Sequence, residues 1–149
     1  MEKVLEKMGF HERWVKLMMV CITMASYSIL INGEPHREIT PTWGLRQGDL
    51  LSLYLFLMCT EGLHGLISEA ATDGDIKGVS ICCNGPKLTH LLLADDSLIF
   101  CRSSESECQN LLNIFAQYER ASDQQINRIK TTLFFSKSTN DMRQTMIKD

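Results

Sequence analysis

The 149 residues contain no Cys-x-x-Cys pair, no uninterrupted apolar run of membrane-spanning length and no surplus of positive charge. Each absence removes a class of function. The six cysteines (Cys21, Cys59, Cys82, Cys83, Cys101, Cys108) include one adjacent pair but none of the short spacings that frame structural zinc, so they read mainly as small apolar fillers. The strongest apolar stretch, residues 50–59, is broken by Ser52 and Tyr54 and falls short of the roughly 18 residues a membrane span needs; no membrane-spanning helix is expected. Residues 1–7 alternate in charge and lack the apolar segment of about 7 to 15 residues that marks a secretory signal, which points to an intracellular, reducing environment. A net charge of −3 argues against an autonomous nucleic-acid binder, because phosphate neutralisation needs clustered Lys and Arg. It argues less against part of a larger assembly whose basic tracks lie elsewhere.

What is present is ordinary for a globular chain: 44% hydrophobic and 22% charged residues, with no internal repeat, low-complexity tract or composition break. One α+β domain over residues 1–149 is the simplest reading. Val4, Leu5 and Met8 share a helical face that Gly9 can stop, and Trp14, Met18 and Cys21 recur at helical spacing, so two short helices open the chain. Residues 27–31 are rich in β-formers and run into Asn32-Gly33, a strong signal for a tight hairpin whose returning strand Pro35 restricts to an edge. Asp49 can cap a helix over residues 50–71. Turns are expected at residues 72–75 and 84–86, with a short strand at 79–82 between them and a longer strand at 88–93 after them. Ser104 and Glu107 have the spacing of a capping box, opening a helix with a stripe of Cys108, Leu111, Leu112, Phe115 and Tyr118. A last strand at residues 132–135 precedes a polar tail expected to fray.

Two polar clusters stand out. Asp95-Asp96 interrupts an apolar run that resumes at Leu98, the pattern of a hairpin with two carboxylates at its tip and flanks apolar enough to be buried. Adjacent aspartates most often lie on solvated turns. At an apolar tip, however, their repulsion and partial desolvation are tolerated when a divalent cation neutralises them, and Mg²⁺ suits hard oxygen ligands. The second cluster, Gly44-Leu45-Arg46-Gln47-Gly48-Asp49, is a glycine-flanked polar loop where backbone can approach a ligand closely; its bland reading is a turn with a solvated Arg46.

In this order, with residues 27–33 before them, Leu55-Phe56-Leu57 and His90-Leu91 between them, and Ile126-Asn127 with Lys130-Thr131 after them, these clusters resemble a reverse transcriptase. The chain is most similar to the LINE-type (non-LTR) retrotransposon enzymes common in plants. The resemblance implies a partial, incomplete polymerase palm, a ferredoxin-like sheet with packed helices. It also implies Mg²⁺ as cofactor and an RNA template, a DNA primer and deoxynucleotides as partners, with no membrane. By the same resemblance Asp95 is the main metal ligand and Asp96 a supporting one. Arg46, Gln47 and Gly48 line the nucleotide and template pocket, and Lys130 assists pyrophosphate departure, against the bland reading of a surface lysine.

The chain departs from the family's pattern in ways that bear on activity. The family's palm supplies an earlier Asp that bridges both metals, whereas no Asp precedes Asp49 here and residues 1–10 resemble the helix that follows that strand. The family usually has Arg at Trp43, Pro at Leu50 and Leu53, an aromatic residue at Leu93 and Gly at Asp123. Arg to Trp, Pro to Leu and Gly to Asp each arise from a single C-to-T or G-to-A transition, the pattern of a decaying element copy. The resulting expectation is a polymerase fragment inactive by itself. The rival is a non-enzymatic, domesticated or decayed module that binds a partner or nucleic acid, and in-frame coding sequence for the missing strand upstream of Met1 would discriminate against it. A metal-dependent phosphatase or nuclease is a third class, weakened because His11, His36, His64 and His90 form no ligand spacing; His90 reads as a strand residue facing core or solvent.

Overall fold

The computed structural model describes residues 1–40, 48–83 and 85–148. It divides into two compact units, Met1–Cys59 with Ala121–Gln124, and Thr60–Arg120 with Gln125–Asp149.

In the first unit, α1 (Glu2–Lys7) ends in a Schellman cap. Gly9 adopts φ 86°, its N–H donates to the Glu6 carbonyl at 3.0 Å, and the Phe10 N–H donates to the Leu5 carbonyl at 3.2 Å. Phe10 thereby turns back onto the core that includes Leu5. Helix α2 (Glu12–Thr23) starts at His11, whose Nδ1 accepts from the Arg13 N–H at 3.2 Å. Its packed face carries Trp14, Val15, Met19 and Ile22, and Cys21 is exposed. The expected stripe of Trp14, Met18 and Cys21 was thus rotated by about one residue, because Val15 rather than Trp14 is the fully buried anchor.

Strands β1 (Tyr27–Ile31) and β2 (Glu34–Ile39) pair antiparallel. The loop between them is Asn32-Gly33 with φ 52° and 87°, the two positive values that a type I′ turn requires. The register shifts between Ser28 and Ile29, and Arg37, at φ 47°, is the unpaired residue of that bulge.

Helix α3 (Leu50–Asp73) is capped as expected, the Leu51 N–H donating to Asp49 Oδ1 at 3.0 Å. By length and composition alone it is apolar enough to cross a membrane, against the expectation drawn from the interrupted run at residues 50–59. Its buried residues recur at intervals of four and three, Leu55, Cys59, Leu63, Ile67 and Ala70, which is what a core helix does. Leu50 occupies the first helical position and is exposed, a place where proline fits equally well.

In the second unit, Gly74 at φ 84° stops α3, and the Asp75 N–H donates to the Ala70 carbonyl at 2.9 Å. Strand β3 (Val79–Ser80) pairs with β4 (Lys87–Leu88), and β5 (His90–Leu93) pairs with β6 (Asp96–Ile99). The turn expected at residues 84–86 includes Asn84, which lies outside the described residues. Among the described residues the strands form three two-stranded sheets where one ferredoxin-like sheet was expected. Gly78 is required where it stands: φ is 60°, and a Cβ there would lie 2.5 Å from the Leu88 carbonyl oxygen.

Helix α4 (Glu105–Ser122) shows half of the capping box, the Glu107 N–H donating to Ser104 Oγ at 3.3 Å. The Glu107 carboxylate is buried and instead accepts from the Lys77 and Arg102 N–H groups at 3.1 and 3.0 Å, tying the helix start to two loops. Its core residues are Ile114 and Tyr118, with Leu111 and Phe115 partly buried; Leu112, expected in the stripe, is exposed.

Residues 132–135 form no strand, and the expected frayed tail is helix α5 (Asp141–Lys148). Among the described residues no sheet offers these apolar residues a ladder, so Leu133 and Phe134 remain exposed. The signal for α5 was Asn140, whose Oδ1 accepts from the Met142 N–H at 3.2 Å.

The second unit also brings His64 of α3 to His90 of β5. His64 Nδ1 and His90 Nε2 are 2.7 Å apart and the ring centroids 4.9 Å apart. On its other side, His90 Nδ1 lies 2.9 Å from Thr89 Oγ1. Burial first, and the neighbouring His64 second, hold the His90 imidazole below its ordinary pKa of 6.5.

Two predictions follow from these contacts. Asp123 sits just past α4 at φ 60°, and its carboxylate, 81% exposed, contacts the Met1 ammonium at 2.9 Å. Replacement by Gly removes left-handed strain of about 1 kcal/mol and an exposed ion pair worth no more than about 1 kcal/mol, leaving stability nearly unchanged. Asp123→Ala loses the contact and keeps the strain, so urea denaturation should find it less stable than Asp123→Gly by about 1 kcal/mol. For His90, a lowered pKa means that its contribution to stability is fully present above pH 6.5 and is lost as the pH falls from there through the depressed folded value. Urea midpoints at pH 7.5 and 5.5 should therefore differ more for the wild type than for His90→Gln; equal differences would refute the linkage.

Candidate functional site

The candidate site is built on the β5–β6 hairpin. Its registered pairs are His90 with Ile99, Leu91 with Leu98, Leu92 with Ser97 and Leu93 with Asp96, which leaves Ala94 and Asp95 as a two-residue turn. Asp95 thus sits in the turn and Asp96 opens β6, at the tip of a hairpin as expected. Ala94 has φ 52° and Asp95 is not among the positive-φ residues, the pattern of a type II′ turn, whose first position favours glycine. An alanine held there carries backbone strain.

One face of the hairpin packs inward through Leu92 and Ile99, which lie against the cluster of Leu63, Ile67, Ala70, Ile76, Ile114 and Tyr118. The other face is open: Leu91, Leu93 and Leu98 are exposed, as are both aspartates. The expectation of buried flanks and partly desolvated carboxylates is therefore corrected. A two-stranded sheet has one face to bury, and alternation sends every second leucine to the other. Neither carboxylate is engaged in a hydrogen bond or ion pair among the described residues.

The remaining candidates are distributed differently. Arg46 and Gln47 lie outside the described residues. Gly48 is exposed at φ 86°, immediately before the Asp49 cap of α3. Lys130 is exposed in a turn organised by Asn127, whose Oδ1 and backbone carbonyl accept from the Lys130 N–H at 3.2 and 3.1 Å. Asn127 is thus a turn-former, which accounts for its pairing with Lys130 in the sequence.

As a donor set, two exposed carboxylates suit a hard divalent cation that completes its shell with water and phosphate oxygens. No group of three or more His, Cys, Asp or Glu side chains able to hold a metal occurs among the described residues. The feature that sequence reasoning missed is the His64–His90 pair, since 26 residues separate two histidines that share no motif.

Comparison with known proteins agrees with the motif reading. The family model described as reverse transcriptase (RNA-dependent DNA polymerase) matches residues 2–145. An uncharacterised mitochondrial protein of Arabidopsis thaliana is 50% identical over 68 residues, 46% of this chain and 56% of that protein. The chain thus spans about half the length of this curated relative. No solved structure matches. Since the family match begins in α1 and ends in α5, taking in the aspartate hairpin, the chain belongs to the reverse transcriptase family.

Proposed function

We propose that this chain is part of the palm of an RNA-directed DNA polymerase from a plant-like, LINE-type (non-LTR) retrotransposon, and that by itself it holds an incomplete active site. The observation that carries the reading is the hairpin tip, where a strained two-residue turn presents Asp95 and Asp96 to solvent on a strand pair anchored through Leu92 and Ile99. The family match and the identity to a plant mitochondrial protein support it, as does the order of the Arg46-Gln47-Gly48-Asp49 and Ala94-Asp95-Asp96 motifs.

Reverse transcriptases generally use a divalent metal, and here Asp95 and Asp96 are the residues to hold Mg²⁺. When bound, that ion lowers the pKa of the primer 3′-hydroxyl and offsets charge developing on the transferred phosphate. The hairpin's contribution is placement: turn strain and one-sided packing limit the directions available to the two carboxylates. Gly48 leaves room for close backbone approach by template or nucleotide, with Arg46 and Gln47 beside it in sequence. Lys130, exposed and cationic, suits the departing pyrophosphate. Template RNA, DNA primer and deoxynucleotides are the partners of this chemistry.

The site is incomplete in two respects. Two-metal transfer needs a further bridging carboxylate, and no aspartate precedes Asp49 in the 149 residues. A net charge of −3 also gives weak hold on template and primer at physiological salt.

Two measurements test this reading. Mn²⁺, which shares the preference of Mg²⁺ for oxygen ligands, should selectively broaden the amide resonances of residues 94–97, and Asp95→Asn should abolish the effect; uniform broadening, or none, would overturn the metal role. In primer extension on an RNA template with Mg²⁺ and deoxynucleotides, the 149-residue chain should give no product above background, the barrier standing several kcal/mol above that of a complete site. Template-dependent synthesis by the wild type, lost in Asp95→Asn, would show the site to be complete.

A further inference from the structure

The two strands of the first hairpin are guarded unequally. No residue of β1 or β2 is buried, so this two-stranded sheet, a form marginal on its own in water, has neither face covered. The outer edge of β2 carries the features that keep an edge strand from pairing: Pro35, the bulge at Arg37, and the charges of Glu34, Arg37 and Glu38. β1 has none of them. Its residues, Tyr27-Ser28-Ile29-Leu30-Ile31, are uncharged and rich in β-formers, and Ile29 and Leu30 stand 51% and 67% exposed.

The register fixes which backbone groups of β1 face outward. Ile31 and Glu34 flank the two-residue turn and so form a hydrogen-bonded pair of the ladder. Alternation then turns the N–H and C=O of Leu30, and those of Ser28, away from β2. Pro35 stands opposite Leu30, the kind of position where a missing N–H costs the ladder nothing. Among the described residues neither Ser28 nor Leu30 makes a backbone bond beyond the hairpin.

We propose that this edge is a self-association surface, on which a second copy of the chain adds its own β1 antiparallel and joins the two hairpins into one sheet. Full overlap of two such strands sets Ser28 opposite Leu30 and Ile29 opposite itself on a twofold axis. Ser28 and Leu30 then exchange N–H···O=C bonds on each side of the axis, which satisfies the outward groups of both copies. The two Ile29 side chains meet in a non-hydrogen-bonded pair, where side chains approach most closely. No charge on β1 opposes the match. Assembly stops at two copies, because both outer edges of the joined sheet are β2, with its proline and bulge. The exposed Ile29, Leu30 and Ile31 bury well under the roughly 1,200 Å² of a stable complex, so the dimer belongs to the weak class filled by mass action at high concentration.

Sedimentation of the intact chain over a hundredfold range of concentration tests this. The wild type should pass from monomer to dimer and no further, and hydrogen exchange at the Ser28 and Leu30 amides should slow in step with the dimer fraction, a measurement that needs no variant. Ile29→Lys and Ile29→Glu should each weaken association at least tenfold, since like charges meet at the axis. An equimolar mixture of the two should restore it, which also shows that both variants fold. Phe134→Ser, at another exposed apolar residue, should leave association within twofold. A wild type monomeric throughout, a mixture that stays monomeric, or association that Phe134→Ser abolishes and Ile29→Lys spares would each sink the proposal. So would Ser28 and Leu30 amides already protected in the dilute monomer, which would assign the edge to another segment of the same chain.

Discussion

Burial along α3 is the constraint on which the aspartate hairpin depends. Two-stranded sheets are marginal on their own in water, and the three sheets among the described residues are all two-stranded. An apolar surface to rest on stabilises such a pair, and for β5–β6 that surface includes Ile67 and Ala70 of α3 together with Ile76, Ile114 and Tyr118. Ile67 and Ile76 are almost wholly removed from water, at 0% and 1% exposure, a burial that contributes roughly 1.5–3 kcal/mol per side chain. Leu92 and Ile99 join this cluster, and from them the chain reaches the Ala94-Asp95 turn within a few residues. The placement of the carboxylates is thus a consequence of packing one face of a four-residue strand pair.

The same packing explains why two adjacent negative charges are tolerated. Had both faces of the hairpin been covered, each carboxylate would have carried a desolvation cost of several kcal/mol without a partner. Open to water on the outer face, Asp95 and Asp96 remain available to a cation without a compensating lysine or arginine. At the same tip Ala94 holds a positive φ that glycine would accept more readily. Conformational strain at the tip and hydration of its charges are two sides of one arrangement.

The departures from the family's pattern take on physical meaning at particular positions. Asp123, where the resemblance implies Gly, adopts a left-handed conformation just past a helix end and contacts the Met1 ammonium. The resemblance implies Pro at Leu50 and Leu53. The first opens α3, where no intrahelical N–H is needed, while the Leu53 N–H donates to the Asp49 carbonyl at 3.3 Å, a bond that proline cannot make. Leu93 sits at the end of β5 with its side chain exposed, so the replacement of an aromatic residue there leaves the buried face of the hairpin intact.

Much of the local structure was legible in the residues because its causes are local. Asn32-Gly33 needs only two positive φ angles, Gly9 and Gly74 only a left-handed cap, and Asp49 only the N–H of Leu51. The aspartate hairpin was readable for the same reason, from two apolar runs about a polar break. What the residues did not show depends on which surfaces meet. Periodicity in α2 was readable but its phase was not, since the anchor, Val15, is chosen by the core it enters. Residues 132–135 have the composition of a strand yet join none of the sheets among the described residues. The Glu107 carboxylate left its expected cap for the N–H groups of Lys77 and Arg102. His64 and His90 were separate, unremarked residues until a helix and a strand brought their nitrogens to 2.7 Å. The sequence by itself determined turns, caps and the place of the aspartate pair at a hairpin tip, because those follow from bonds between near neighbours. Only the tertiary structure decided the exposure of that site and the existence of the histidine pair, because both depend on how one face of a short hairpin is buried.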